Sequence, residues 1–323
     1  MPSLYLTEQG AKLKKEGQRL IVTKEDKKIA DLPLIKLESV LIYGNIQIST
    51  QAMRMLLNSG VETAFFTING KLIGRLVPLA SKNNILRIEQ YRKALKDDFA
   101  LKIAKKLVEA KINNCIKVLL HFLSNHSDDP ISSLVKDLKT WDERIKRKNK
   151  ASTLLGVEGS GSMKYYDAYK RTFLSELKFN GRNRRPPQDE VNALLSFGYT
   201  LIGNEMISLV NGKGFDPYIG FYHGIHYGRP SLALDLLEPF RPEVDLFVMK
   251  LVNLRILKKE DFEERNGGIY LKKEPVKKFF VQYEKWINKL GTGGKSIRDN
   301  MKIQVSSIAK EILENSGFKT HKM

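Results

Sequence analysis

Two carboxylates three residues apart in an apolar run are costly to leave unneutralised, and this chain has such a pair at Asp235 and Glu238. They lie in Ser231-Leu-Ala-Leu-Asp-Leu-Leu-Glu-Pro-Phe-Arg-Pro, where Leu232, Ala233, Leu234, Leu236 and Leu237 predict a largely buried helix. A divalent cation would neutralise the pair, and so would Arg229 or Arg241. Pro239 and Pro242 have no backbone N–H to give the preceding turn, so the helix should kink or end there and turn side chains into a cleft. Two more groups stand in unusual contexts. Glu158 lies in Gly156-Val157-Glu158-Gly159, just ahead of a predicted helix, and His223 closes Asp216-Pro-Tyr-Ile-Gly-Phe-Tyr-His in a loop bracketed by glycine and proline. Two carboxylates and one imidazole suit Mg²⁺ or Mn²⁺, the nitrogen tilting the preference toward Mn²⁺. Such an ion polarises a phosphodiester and activates a hydroxyl or water for in-line attack. Taken singly, each group also has an ordinary reading: a first-turn glutamate favoured by the helix dipole, a polar loop histidine, a solvated acidic face.

The elements that must position these groups change character along the chain. Ser3–Leu6, Arg19–Thr23, Ser39–Tyr43, Val61–Ile68 and Leu72–Val77 read as strands separated by turn residues, with Asn69-Gly70 as a hairpin signal. Gln51–Asn58 reads as a short helix stopped by Gly60. From about Ile85 the period becomes helical: Ile88, Tyr91, Leu95, Phe99, Ile103 and Leu107 recur at three- and four-residue spacing in one long stretch, Leu86–Leu123. Further helices are predicted over Ile131–Arg147, capped by Asp128-Asp129-Pro130, and over Ser162–Leu177, Gln188–Val210, Ser231–Leu257, Pro275–Leu290 and Ser296–Asn315. The expected class is α+β: a small β-sandwich-like domain over 1–80 followed by a larger all-α domain over 81–323.

Composition narrows the partner. In 323 residues, 55 Lys+Arg stand against 36 Asp+Glu, a formal net charge of +19 that calls for a polyanion, nucleic acid first. No apolar run of about 18 residues suggests a membrane span, and Glu8, Lys12, Lys14 and Lys15 interrupt any secretory signal. The one cysteine, Cys115, excludes an intrachain disulfide and a cysteine zinc cage and falls in an apolar-periodic helix as a core residue; a reducing cytoplasm is the expected compartment.

Four segments together resemble the CRISPR-associated adaptation integrase and endonuclease family, the spacer-acquisition nuclease. They are Gly156–Gly159, the run Arg184-Arg-Pro-Pro-Gln-Asp-Glu-Val-Asn-Ala-Leu-Leu-Ser-Phe-Gly-Tyr199, the element ending at His223, and Gly228–Pro242. Their order and the β-then-α layout match that family over essentially the whole chain. The resemblance implies a metal triad of Glu158, His223 and Glu238, with Asp235 as a further acidic position that supports or supplements it; His226, three residues on, is an alternative ligand or proton shuttle. It implies a metal-dependent DNA endonuclease and integrase with Mg²⁺ or Mn²⁺, joining captured DNA 3′ ends into the CRISPR repeat array by phosphodiester transesterification. The partners it implies are double-stranded DNA, a homodimer through residues 1–80, and a small ferredoxin-like CRISPR-associated subunit. Phe65, Phe66 and Ile73 are candidates for the dimer face or for the core.

Basic clusters occur at Lys105-Lys106, Lys146-Arg147-Lys148, Arg182/Arg184/Arg185, Lys258-Lys259 and Lys277-Lys278, most of them solvated faces. Arg184, Arg185 and Arg229 border the acidic elements and are the preferred DNA contacts, and Tyr166 is a stacking candidate. Gly291-Thr-Gly-Gly-Lys-Ser lacks the first glycine of a phosphate-binding loop, since position 289 is Lys, and reads as a glycine-rich turn. A general metal-dependent repair or junction-resolving nuclease and a non-enzymatic architectural DNA-binding protein are the alternatives; the second leaves the buried acidic pair unexplained.

Overall fold

A computed structural model describes residues 3–68, 72–77, 83–183, 186–224, 226–291 and 293–323. The chain forms two compact units, Met1–Ala80 and Ser81–Met323. The Asn69-Gly70 turn, Pro78, and Arg184 and Arg185 lie outside the described residues.

The first unit holds β1 (Ser3–Leu6), β2 (Lys12–Glu16), β3 (Arg19–Lys24), β4 (Lys27–Pro33), β5 (Ser39–Tyr43), β6 (Gln47–Ile48), α1 (Thr50–Asn58), β7 (Glu62–Phe66) and β8 (Leu72–Leu76). Two four-stranded sheets result, ordered β1-β5-β7-β8 and β4-β3-β2-β6. The parallel β5 lies between β1 and β7, and its Val40, Leu41, Ile42 and Tyr43 are all buried, as a strand covered on both faces requires. The core joins Leu6, Leu13, Leu20, Val22, Val40, Ile42 and Leu56. Strands β2 and β4 escape a search for apolar alternation because Lys12-Leu-Lys-Lys-Glu16 buries Leu13 alone and β4 buries none of its side chains. Helix α1 starts at Ser49, whose side chain accepts the Ala52 N–H, and ends ahead of Gly60 at φ +65°. Of the three dimer-face candidates, Phe66 is buried and stacked on Tyr43 at 4.7 Å, Phe65 is half-buried and Ile73 is exposed.

The second unit holds α2 (Asn84–Ala94), α3 (Asp97–Leu123), α4 (Asp129–Lys139), α5 (Trp141–Lys146), α6 (Ala151–Tyr169), α7 (Glu190–Lys213), α8 (Ser231–Leu237), α9 (Arg241–Asn253), β9 (Phe262–Arg265), β10 (Gly268–Leu271), α10 (Lys273–Ile287) and α11 (Ile297–Glu314). Helix α3 is the hub, packed against α4, α5, α6 and α9. The long predicted helix is two: the chain breaks after Ala94, and Asp97 and Asp98 open α3. The stripe Ile88, Tyr91, Leu95 on the α2 side is exposed, while Leu86 and Gln90 of α2 turn inward. The predicted helix over 131–147 is also two, with Asp128 capping the first by accepting the Ile131 N–H at 2.9 Å.

The unit is not all helix. Strands β9 and β10 form a hairpin through Asn266 and Gly267, both at positive φ, an Asn-Gly signal as plain in the sequence as the one at 69–70. Helix α7 is long and apolar enough to cross a membrane by length and composition, and half of that window is buried inside the protein. Its Glu205 pairs with Arg298 of α11 at 2.8 Å, and Arg298 reaches Glu284 of α10 at 3.1 Å, which ties three helices together. In the glycine-rich turn, Gly294 has φ +67° and Ser296 caps α11 in a reciprocal pair with Asp299. Cys115 is buried in α3, as its place in the apolar stripe predicts.

Candidate active site

Four segments deliver the chemistry-bearing side chains: α3 carries Lys111, α6 Glu158, the 215–230 loop His223, and the α8–α9 junction Asp235, Glu238 and Arg241. Glu158 does not precede its helix. It lies within α6, which starts at Ala151 and runs through three glycines. Each glycine costs the helix about 1 kcal/mol relative to alanine, so sequence alone starts the helix only at Ser162, after Glu158. Tertiary packing reverses that preference at Gly161, where a Cβ would lie 2.8 Å from Ile112 of α3 and 2.8 Å from the Trp141 ring of α5. The glycine lets α6 come close enough to set Glu158 against α3.

The kink expected at Pro239 and Pro242 is present. Helix α8 ends at Leu237, Glu238–Phe240 forms one tight 3₁₀ turn, and α9 begins at Arg241. Two contacts hold this turn. Asn114 Nδ2 of α3 donates to Pro239 O at 2.7 Å, and Phe240 stacks on the buried His321 ring at 4.3 Å. His321 in turn lies 2.8 Å from Glu243 Oε1.

Asp235 is fully buried and organises the loop opposite. Its Oδ2 accepts the N–H of Phe221 at 2.6 Å and of Tyr222 at 2.9 Å. Its Oδ1 accepts the His223 N–H at 2.9 Å and faces His223 Nδ1 at 2.7 Å. Only glycine fits at 220, since a Cβ there would lie 2.6 Å from Asp235 Oδ2. An ionised carboxylate can only accept, so Nδ1 carries the ring proton and a neutral His223 keeps its lone pair on Nε2.

Glu158 and Glu238 converge on one cation. The Lys111 ammonium donates to Glu158 Oε1 and to Glu238 Oε2, the latter at 2.7 Å. Ser162 Oγ donates to Glu158 Oε1 at 2.7 Å, and Arg241 Nε to Glu238 Oε1 at 2.8 Å. Arg241, not Arg229, is therefore the arginine that neutralises Glu238. Burial alone would raise the Glu238 carboxyl, but Arg241 and Lys111 outweigh it and hold it well below the usual carboxylate range. Burial likewise works against the Lys111 charge, and Glu238 and Glu158 more than restore it. The His223 ring also acts on Glu238. Tyr222 is pushed up by burial and by Glu158, Glu238 and Asp235, which places its hydroxyl in the field of all three carboxylates.

The residues fit a divalent cation by their chemistry. Two carboxylates meet on the Lys111 ammonium, the His223 ring is near enough to act on Glu238, and the buried Tyr222 Oη has no hydrogen-bond partner among the described residues. Among the described residues no group of three His, Cys, Asp or Glu side chains stands at ligand spacing, and the Lys111 ammonium bridges the two carboxylates.

A second layer lies behind Arg241, whose guanidinium sits over the Tyr199 ring at 5.1 Å, with Arg182 over the same ring at 5.3 Å. Tyr199 donates to the buried Asp245, as does Tyr165 at 3.0 Å, and Tyr169 donates to the Asp245 carbonyl at 2.7 Å. Tyr166 is half-buried in this cluster with its hydroxyl 3.0 Å from that of Tyr199. Burial raises the Asp245 carboxyl to about 6 against the tyrosine hydrogen bonds. Arg229 is half-buried and His226 exposed on the 215–230 loop.

Sequence reasoning missed Lys111, Tyr199 and Asp245. Lys111 carries a signal: it replaces an apolar residue in the one-turn series Ile103, Leu107, Lys111, Cys115, Leu119, whose other members are buried. Asp245 has a similar one, an acid among Val244, Phe247 and Val248.

The sequence profile described as CRISPR associated protein Cas1 matches residues 4–285. A CRISPR-associated endonuclease Cas1 of Thermodesulfovibrio yellowstonii is 35% identical over 329 residues, covering 98% of this chain and 99% of that relative. A CAS1 protein from Thermotoga maritima shares the fold at a TM-score of 0.86 and 24% identity, over 100% of both chains. A casposase bound to its integration product matches at 0.84 and 26%, over 99% of this chain and 92% of the casposase. By its profile match and its near full-length relative, this chain belongs to the CRISPR-associated Cas1 family.

Proposed function

We propose that this protein is a metal-dependent DNA endonuclease and integrase of CRISPR adaptation, joining captured DNA 3′ ends into the repeat array by phosphodiester transesterification. The observation that carries the reading is the convergence of Glu158 and Glu238 on a single positive charge, beside an imidazole whose other nitrogen is committed to Asp235. The relative named an endonuclease and the casposase bound to an integration product support both halves of it.

Glu158, His223 and Glu238 would hold Mg²⁺ or Mn²⁺, which when bound supplies Lewis acidity toward a phosphodiester oxygen. Asp235 keeps the His223 ring fixed with Nε2 available, and Arg241 keeps Glu238 ionised. In the reaction a 3′-hydroxyl oxygen attacks phosphorus, one P–O bond forms, and the P–O bond to the displaced 3′ oxygen breaks. The attacking hydroxyl gives up its proton and the departing 3′ oxygen takes one, so no hydrolysis is needed; water as the nucleophile gives cleavage. The +19 net charge draws DNA to the protein, with Arg184, Arg185 and Arg229 as the assigned contacts and Tyr166 as a stacking candidate. Pairing of two copies through residues 1–80, where Ile73 is exposed, and assembly with a small ferredoxin-like subunit belong to the same proposal.

The test is strand transfer of a labelled 3′-hydroxyl duplex into supercoiled repeat-bearing DNA, comparing wild type with Glu158→Ala, His223→Ala and Glu238→Ala in Mn²⁺, Mg²⁺ and EDTA. The expected result is joined product in wild type, lost in EDTA and in variants that still bind DNA. Binding with neither joining nor cleavage in any metal overturns the catalytic reading.

A further inference from the structure

Lys111 occupies a place on α3 where a charge is hard to explain as packing. Ile103 and Leu107 precede it and Cys115 and Leu119 follow it at one-turn intervals, all buried, and the lysine side chain itself is 12% exposed. A lysine in such a stripe gives up hydration along its whole stem and must find anions for its ammonium. It finds two, Glu158 from α6 and Glu238 from the α8–α9 junction, the two carboxylates that the metal-dependent reading also assigns as ligands.

Within the ion-paired set the charges balance: Lys111 and Arg241 are two positive, Glu158 and Glu238 two negative, while the buried Asp235 is engaged with the Phe221–His223 turn. A divalent cation added to this set brings positive charge against Lys111 and Arg241 and competes with Lys111 for the carboxylates it bridges. Arg241 has little freedom to yield, because its guanidinium is bonded to Glu238 Oε1 and packed over Tyr199. Lys111 has that freedom: its point charge rides on a flexible four-carbon stem and can withdraw without moving α3.

We propose that Lys111 is a built-in counter-ion that holds the carboxylate pair together in the metal-free protein and is displaced when a divalent cation enters. The affinity of this chain for its metal is then set by an internal competitor. The inference rests on the metal-dependent reading of the site, and it assigns to Lys111 a positioning role.

The test is Mn²⁺ binding to the full chain by calorimetry at pH 8, paired with thermal unfolding in EDTA and in Mn²⁺. Wild type, Lys111→Met and Lys111→Gln are compared, the glutamine preserving hydrogen bonds without the charge should the methionine variant fail to fold. Removing the competitor is expected to tighten Mn²⁺ binding roughly ten- to hundredfold, the scale of one displaced charge-assisted hydrogen bond. The variant's Tm should fall in EDTA and rise more than that of wild type on adding Mn²⁺. Adding Glu158→Gln to Lys111→Met should abolish the gain, which ties it to the carboxylate pair. Mn²⁺ binding that is unchanged or weaker in a folded Lys111 variant overturns this inference and leaves the metal site standing. Failure of wild type and variants alike to bind Mn²⁺ overturns the metal reading and the inference with it.

Discussion

One oxygen of Asp235, Oδ1, holds both the backbone N–H of His223 at 2.9 Å and its ring Nδ1 at 2.7 Å. The carboxylate that sequence spacing groups with Glu238 therefore has a different task. It accepts every donor that the Phe221–His223 turn presents to it and fixes the imidazole, while Glu238 faces the cations Lys111 and Arg241.

Asp235→Asn turns an amide N–H₂ toward backbone donors that need an acceptor. We expect a loss of about 2–4 kcal/mol in stability from a buried polar set left unpaired. Strand transfer should fall about ten- to hundredfold, as when the partner that orients a ligand histidine is removed. Urea unfolding and joining rates measure the two effects, and wild-type values for both would contradict the assigned role.

Arg241→Met should lower stability near neutral pH and flatten its dependence on pH in the acid range. The Glu238 carboxyl is depressed in the folded state, so its contribution is present above the ordinary carboxylate range and lost as pH falls through the folded value. Without Arg241 the folded value moves up toward the ordinary one, so that contribution is smaller and less of it is there to lose. The gap in unfolding free energy between wild type and variant, followed by urea unfolding, should be widest near neutral pH and narrow as pH falls, and a constant gap counts against the Arg241–Glu238 pair as the cause.

The α6 glycines should behave oppositely to one another. Gly161→Ala drives a methyl into Ile112 and Trp141 and should destabilise by about 1–3 kcal/mol. Gly156 and Gly159 face open space, and alanine there should stabilise the helix by about 0.5–1 kcal/mol. Chemical unfolding of the three variants decides, and a stabilising Gly161→Ala would contradict the close approach of α6 to α3 and α5.

Asp245→Asn should gain on wild type as pH rises. The buried carboxyl is raised to about 6 from 3.8, so folding favours its protonated form. That contribution is full below the unfolded value and is lost as pH rises through about 6, amounting to roughly 3 kcal/mol for a shift of this size. Asparagine does not titrate. The stability difference between variant and wild type should therefore move in the variant's favour between pH 5 and 7.5, whereas a constant difference would reject the raised carboxyl.

Much of the frame was legible because it is written in local signals. Strand-rich and helical regions, Gly60 at the end of α1, the Asp128 cap and the proline break after Glu238 each depend on a few neighbouring residues. Local signals also misled. Three glycines around Glu158 delay the predicted helix start to Ser162 because their cost is local, whereas the contact that justifies Gly161 comes from Ile112 and Trp141 on other helices. The Ile88, Tyr91, Leu95 stripe has helical spacing, yet its residues are exposed, since periodicity describes a face and not what covers it.

The sequence by itself determined the division into strands and helices, the candidate residues Glu158, His223, Asp235 and Glu238, and the basic charge that favours DNA. Only the tertiary structure decided which charges meet. Lys111 finds Glu158 at a separation of 47 residues and Glu238 at 127, while Tyr165 and Tyr199 reach Asp245 across 80 and 46. No residue pattern encodes those distances, because an ion pair in a folded core depends on helix packing that brings remote segments together and excludes water around them.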